Sequence, residues 1–420
     1  MQKKILLKGP LLTRSGYGEQ ARYALRCLRS RPELFDIYIQ PLTWGSTSWL
    51  GELNEEREWI DSKIEKTISF IQQGGQFDMS LQVTIPNEWE PLAEVNVGYT
   101  AGMETTQIAH QWIEKSNMMD RIIVISNHSK DTFNNTVYQG VEERTGQQIE
   151  LRNTTPITAI NYPAKVYDSL PELDLELDYD FNFITVAQFG PRKNIENTIR
   201  WFVEEFENEE VGLIVKTNMA KNCYMDREHV YNNIRNLISQ YNADRKCKVY
   251  MLHGDMTDEE MHSLYVNPKI NAMLALTHGE GFGLPLFEAA YSGLPVICAG
   301  WSGQLDFLVD EQGKNHFYDV GFDLNQIPPE VVWEGVVIKE SAWAYPREES
   351  AKSQMRKCYD DLTGPDAEKI KKEYADYATE IHERFHQDKM YEQFVQTTYG
   401  EKIDLDSWLE ELSGEVEEYE

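Results

Sequence analysis

Three things are scarce in this chain. Cysteine is the first: 420 residues hold five, Cys27, Cys223, Cys247, Cys298 and Cys358. They are scattered and none stands in a C-x-x-C pair, which argues against a disulfide framework or a cysteine-built zinc site and fits a reducing compartment. Basic residues are the second. Lys and Arg number 40 against 70 Asp and Glu, a formal net charge of −30. Such a chain has no general electrostatic grip on nucleic acid or anionic lipid, and only a local basic pocket could supply one. Long apolar runs are the third. The N-terminal MQKKILLKGPLLTRSG is basic, but its ILL is far too short for a signal-peptide core, and no other run reaches the length of a membrane span. The expectation is a soluble, cytoplasmic protein with ILL as its first buried strand.

What is plentiful is alternation. The length suits two α/β domains, and 41% hydrophobic residues can fill their cores. KKILLKG reads as a strand ending in glycine, and GYGEQARYALRCLRS as the helix after it. IDSKIEKTISFIQQGG, QIAHQWIEKSNMM and SKDTFNNTVYQ are helical, and FDMSLQV, VNVGYT and RIIVIS are strand-like. The stretch from Asn161 to Phe181 is proline-bearing, acidic and weakly periodic, a linker in character. A second series then begins with FNFITVAQF, PRKNIENTIRWFVEEF and VGLIVKT, and continues through CKVYMLHG, INAMLALT and LPVICAG. Strands alternating with helices predict parallel sheets covered on both faces, in two Rossmann-like domains. The boundaries are set at 1–165, a linker over 166–181, 182–365, a helical segment over 366–403 and an acidic tail over 404–420.

The chemistry concentrates in THGEGFGLPLFEAAYSGLPV, Thr277 to Val296. Pro285 suits the first turn of a helix and Gly293 the residue just past its end, so the helix spans roughly Leu284 to Ser292. Gly281-Phe282-Gly283 then lies at the positive mouth, where free N–H groups favour an anion and glycine lets it approach closely. Glu280 before this loop and Glu288 about one turn into the helix would repel phosphate, so they must serve another group. Ionised carboxylates accept hydrogen bonds and hydroxyls donate them. Phosphates together with many hydroxyls describe a sugar nucleotide.

Glu280-Gly-Phe-Gly-Leu-Pro-Leu-Phe-Glu288 closely resembles the Glu, seven residues, Glu signature of the retaining GT-B glycosyltransferases, glycosyltransferase family 4. VAQFGPRKNIENTI resembles the family's phosphate segment, with Lys193 in the lysine place, Gln188 where the family has arginine, and Arg192 a candidate to supply the missing charge. Lys216 reads either as added charge or as a solvated strand-end lysine. SGYGEQAR resembles the N-terminal glycine loop, so Gly16 and Gly18 would let backbone amides reach the donor phosphate, and SGQLDFL places Gly303 beside them. The resemblance spans most of Lys4 to Asp310. It implies a GT-B fold in which the N-terminal domain takes the acceptor, the second domain takes the donor, and the C-terminal helix crosses back.

The implied reaction moves a sugar from a nucleoside-diphosphate sugar to a hydroxyl acceptor, a glycan or lipid-linked sugar. Glu280 and Lys193 are the expected catalytic pair, with Leu284 and Glu288 among the donor contacts. No cofactor or metal is implied. Asp178-Tyr-Asp180 and Asp404-Leu-Asp406 are D-x-D strings in acidic, irregular segments and are not read as metal ligands. The family's N-terminal histidine has no counterpart in VGYTAGMETTQ, Val97 to Gln107, where Glu104 and Thr105 stand on the acceptor or sugar side. His110 and His128 read as surface or cap histidines and His278 as packing. The base-recognising segment is expected near Met251 and Leu252. Two other functions stay open: transfer to modified bases in DNA, which the net charge disfavours, and a catalytically inactive sugar-nucleotide-binding protein, which Gln188 and the missing histidine keep in view.

Overall fold

The structure, a computed structural model, describes residues 2–400 apart from 46, 52 and 142–145; the acidic tail and its Asp404-Leu-Asp406 string lie outside the described residues. The first half of the chain alternates β1 (Lys3–Gly9), α1 (Gly16–Arg29), β2 (Phe35–Pro41), α2 (Glu55–Gln72), β3 (Met79–Val83), β4 (Val95–Thr100), α3 (His110–Ser116), β5 (Arg121–Val124) and α4 (Asn127–Asn135). An antiparallel ribbon, β6 (Val137–Val141) with β7 (Gln148–Arg152), precedes β8 (Ile157–Ala159). The six long-range strands form one parallel sheet in the order β2-β1-β3-β4-β5-β8. The helix read through SKDTFNNTVYQ stops at Asn135, because the β-branched Val137 and its neighbours pair across the ribbon instead.

The second half repeats the plan. It runs β9 (Asn182–Val186), α5 (Ile195–Phe206), β10 (Gly212–Lys216), α6 (Tyr224–Ile238), β11 (Lys248–Leu252), α7 (Asp258–Tyr265), β12 (Ile270–Ala275), α8 (Leu284–Tyr291), β13 (Val296–Ala299), α9 (Leu305–Leu308) and β14 (Tyr318–Val320). Its parallel sheet has the order β11-β10-β9-β12-β13-β14. Here the strand order reverses beside β9, and ligands of open α/β sheets collect at the carboxyl ends of strands flanking such a switch point.

After β14 comes an arm that the sequence patterning did not show: the antiparallel pair β15 (Phe322–Gln326) and β16 (Ala342–Pro346), with the intervening chain extended towards the first domain. Val336 of the arm is buried in the first domain's cluster of Ile85, Trp89, Ile108 and Trp112. Asn87 donates its side-chain amide to the Gly335 carbonyl at 2.9 Å, and Ala342 and Thr106 exchange two bonds at 3.0 and 3.3 Å. Three helices close the chain: α10 (Glu348–Thr363), α11 (Ala367–Arg384) and α12 (Gln387–Tyr399). α11 packs on α8, while α12 lies on α1, placing Phe394 against Tyr23 and Tyr99 at ring distances of 5.5 and 5.1 Å. One apolar cluster therefore runs continuously from Ile5 and Leu7 through Tyr162 to Phe282, Phe287 and Phe307. Among the described residues no helix is long and apolar enough to cross a membrane.

Candidate functional site

β9 and β12 are neighbours in the second sheet, so the loops leaving their carboxyl ends stand side by side. The β9 loop ends in a tight turn at Pro191–Lys193. Asn194 follows in the left-handed conformation (φ 53°) and donates its amide to the Leu276 carbonyl at 2.9 Å, tying this turn to the other loop. The β12 loop carries Thr277 to Gly283 into α8. Two segments 87 residues apart thus bring Lys193 onto Glu280, with Nζ 2.6 and 2.8 Å from the two carboxylate oxygens. Arg192 lies on the same carboxylate at 3.3 Å, and its other arm reaches Glu104 of the first domain at 3.1 Å. Burial opposes ionisation of Glu280, but Lys193 and Arg192 outweigh it and hold the carboxyl below its usual range. The site therefore presents a fixed anion in a cationic frame.

The backbone around Glu280 is also fixed. Its N–H donates to the Ser302 hydroxyl at 2.9 Å, which in turn donates to Gln304 at 2.8 Å. Ser302 itself sits at φ 78°, a strained setting for a non-glycine residue that the neighbouring bonds enforce. Gly303 donates to the Glu280 carbonyl at 2.9 Å, and a Cβ there would stand 2.0 Å from the Gly281 carbonyl. Sequence reading found Gly303 and missed Ser302, whose role is visible only once β12 and β13 are adjacent.

Beside this frame lies a cleft of about 340 Å³ lined by Lys193, Lys216, Gln188, Thr217, Gly254 and Pro285, among others. Lys216 points into it with Nζ bonded to the Gly254 carbonyl; burial lowers its pKa. Asn218, Asn222, Asp255 and Met256 extend the lining. Met251 and Leu252 end β11 just before this segment, so the side chains that reach the cleft come slightly later than expected. The Thr217 hydroxyl is buried with no partner among the described residues, a polar atom available to a ligand. Its signal was its place directly after a strand end.

The remaining candidates divide. Leu284 and Glu288 line a separate cavity of about 350 Å³ between the domains, with Glu19, Lys165 and Asp258. There Tyr265 donates to Glu288 at 3.0 Å, and burial raises that carboxyl to about 7 against the pull of Lys165. Arg192 is absent from the cleft lining and is spent on the two carboxylates, so the cations that share the cleft with Gln188 are Lys193 and Lys216. Phe282 faces the core, with Tyr162, Phe287 and Phe307 at 5.3, 5.0 and 5.0 Å. Gly281 abuts the first domain: a Cβ on it would lie 2.7 Å from the Ala101 carbonyl. Gly283 adopts φ 93° as the residue before α8. Gly18 is pressed against the Thr13 carbonyl, whereas Gly16 faces open space. Thr105 is buried and spends its hydroxyl on Gln107 of its own loop at 2.8 Å. His278 stacks between Trp343 and Tyr345 and bonds the Ala344 carbonyl at 2.9 Å, a packing role. His128 lies edge-on to Trp301 at 4.9 Å and His110 edge-on to Tyr138 at 5.9 Å. Asp178 pairs with Lys248 at 2.8 Å.

Residues 175–319 match the sequence model of the family described as glycosyl transferases group 1. No curated protein matches the sequence. Among solved structures, the Anabaena protein HepE in complex with UDP and glucose superposes with a TM-score of 0.59 at 12% identity, covering 95% of this chain and 100% of that one. Sucrose-phosphate synthase from Thermosynechococcus elongatus gives 0.57 at 14% identity, with 94% and 98% covered. A glycosyltransferase from Rickettsia africae gives 0.55 at 11%, with 94% and 97% covered. At such identities the structural likeness speaks for the fold. The chain has the GT-B fold of two Rossmann-like domains across a cleft, and within it residues 175–319 are similar to the glycosyl transferases of group 1.

Proposed function

We propose that the protein is a retaining glycosyltransferase that moves a sugar from a nucleoside-diphosphate sugar to a hydroxyl acceptor. The observation that carries the proposal is the juxtaposition of Lys193 and Lys216 in one cleft with the mouth of α8, beside the Lys193–Glu280 pair. In the reaction the bond from the anomeric carbon to the diphosphate oxygen breaks as the acceptor oxygen bonds to that carbon. The acceptor proton passes to the departing diphosphate. Negative charge grows on the leaving group, and the two lysines of the cleft with the N-terminus of α8 would offset it. Glu280 accepts hydrogen bonds from sugar hydroxyls, with Arg192 keeping its carboxylate ionised and oriented. Thr217, Asn218 and the Gly254–Met256 segment are suited to the nucleoside end.

With lysines in the cation's place, transfer needs no metal, and turnover should persist in EDTA. The acidic surface disfavours a DNA acceptor. The discriminating experiment is a thermal-shift and hydrolysis screen against UDP-, GDP-, ADP- and TDP-sugars, with Glu280→Ala and Lys193→Ala alongside. One donor should raise the melting temperature and release its diphosphate slowly, and both variants should lower turnover by about 10²–10³. A shift without turnover, even with acceptors present, would favour a catalytically inactive binding protein. No shift with any donor would overturn the site.

A further inference from the structure

The donor assignment leaves the acceptor face of the first domain without a role. The chain after β2 runs back along the loop after β1: Leu42 N–H donates to the Gly9 carbonyl at 2.9 Å, Arg14 N–H to Ser48 at 2.8 Å and Leu50 N–H to Leu12 at 2.9 Å. Thr13 and Trp49 form an isolated bridge between the two stretches. This arrangement seats Trp44 on Tyr17, ring centroids 4.2 Å apart and planes at 36°. Tyr17 stands between Gly16 and Gly18 and is held by its hydroxyl, which lies 2.8 Å from the Thr100 hydroxyl and accepts from Ala101 N–H at 3.3 Å. Ala101 is the residue whose carbonyl abuts Gly281. Ala101 therefore stands between the Tyr17 hydroxyl and the loop that carries Glu280.

Three further observations describe the surroundings. Both rings are half-buried and rest on the first domain's apolar cluster. Trp49, beside them, is 50% exposed. Glu104, in the same loop as Ala101, is joined to Glu280 through Arg192, at 3.1 and 3.3 Å. A fixed aromatic face on the same side as the Glu104–Arg192–Glu280 chain fits one class of small molecule. A pyranose presents an apolar C–H face to the ring and hydroxyls around its rim to acceptor-only oxygens.

We propose that Trp44 and Tyr17 form the floor of the acceptor subsite and that the acceptor hydroxyl belongs to a sugar ring stacked on Trp44. This rests on the glycosyltransferase reading and names its acceptor class. The new glycosidic bond then joins two sugars, with the diphosphate leaving as described above. Trp44 is a specificity residue: it selects ring-shaped acceptors over open-chain alcohols.

The test uses the full chain, the donor found in the screen, and two sets of acceptor probes. One set holds the methyl glycosides of glucose, galactose, mannose and N-acetylglucosamine, and the other holds sorbitol and glycerol. Transfer and hydrolysis products are measured together by mass spectrometry. At least one methyl glycoside should accept about tenfold better than either polyol. Trp44→Ala should lower the ratio of transfer to hydrolysis about tenfold, chiefly through the acceptor KM, while Trp44→Phe, which keeps an aromatic face, retains most of it. Equal transfer to the polyols, no transfer to any glycoside while hydrolysis proceeds, an unchanged ratio in Trp44→Ala, or equal losses in the Ala and Phe variants would each overturn the subsite. A protein that turns over no donor would remove the glycosyltransferase reading itself and the subsite with it.

Discussion

Lys193 has two partners to serve and one ammonium to serve them with. It is paired with Glu280 in the structure, and the proposed mechanism needs it on the diphosphate. Removing it leaves Glu280 with Arg192, so Lys193→Ala should destabilise the fold by less than the ~3–5 kcal/mol typical of a broken buried pair. Turnover should instead fall by about 10²–10³, the scale of losing one charge-stabilising donor in a transition state. Urea unfolding and donor hydrolysis, measured on the same sample, separate the two effects. Glu288 gives a pH prediction. Its carboxyl rises from 4.5 to about 7 in the folded state, so the folded chain binds that proton more tightly than the unfolded one. Its contribution is complete below the unfolded value and is lost as pH climbs through the folded one, at most about 3 kcal/mol. Glu288→Gln should therefore gain on the wild type in urea midpoint between pH 5 and pH 8. Parallel curves would show that the group is ionised throughout.

At the scale of the element, the loops that flank α8 and α1 differ in how tightly glycine is required. Gly303 has no room for a methyl group against the Gly281 carbonyl, whereas Gly16 has nothing within 4 Å. Gly303→Ala should lower the melting temperature and displace the Glu280 loop. Gly16→Ala should melt with the wild type, so any loss of donor-induced shift in it would report on ligand approach alone. Phe282 behaves as a core residue of this element. Phe282→Ala should cost about 3–5 kcal/mol in urea unfolding by opening a cavity among Tyr162, Phe287 and Phe307. The short helix was legible in detail: Pro285 and Gly293 bracket a span of Leu284–Tyr291 because helix-start and helix-stop chemistry is local. The direction of Phe282 was not legible, since a glycine loop and a core turn share the same letters.

For the whole molecule, the domains meet at several points besides the linker. Asp306 accepts from the Asn127 N–H at 2.9 Å and the Asn161 amide at 2.8 Å, Lys165 pairs with Asp258 at 2.7 Å, and Arg192 reaches Glu104. The arm adds apolar burial through Val336. Val336→Asp should place an unpaired charge in that cluster and release the arm. Amide exchange should quicken at Thr106 and Ala342, whose mutual bonds depend on the docking, while the strands of the second sheet exchange as before. Uniform acceleration across the second sheet would mean that the arm is part of that domain's own stability.

The sequence by itself determined the two-fold α/β alternation, the strand-loop-helix units and the Lys193 and Glu280 pair of motifs, because periodicity, helix signals and residue chemistry are properties of neighbouring positions. Only the tertiary structure decided what those residues face. It turned Arg192 from the cleft onto Glu104 and Glu280 and set Glu288 in a second cavity. It also carried the arm across to the first domain and laid Trp44 on Tyr17. These outcomes depend on pairings between segments tens to hundreds of residues apart, fixed by sheet order and by the burial of shared apolar surface, and no local pattern encodes them.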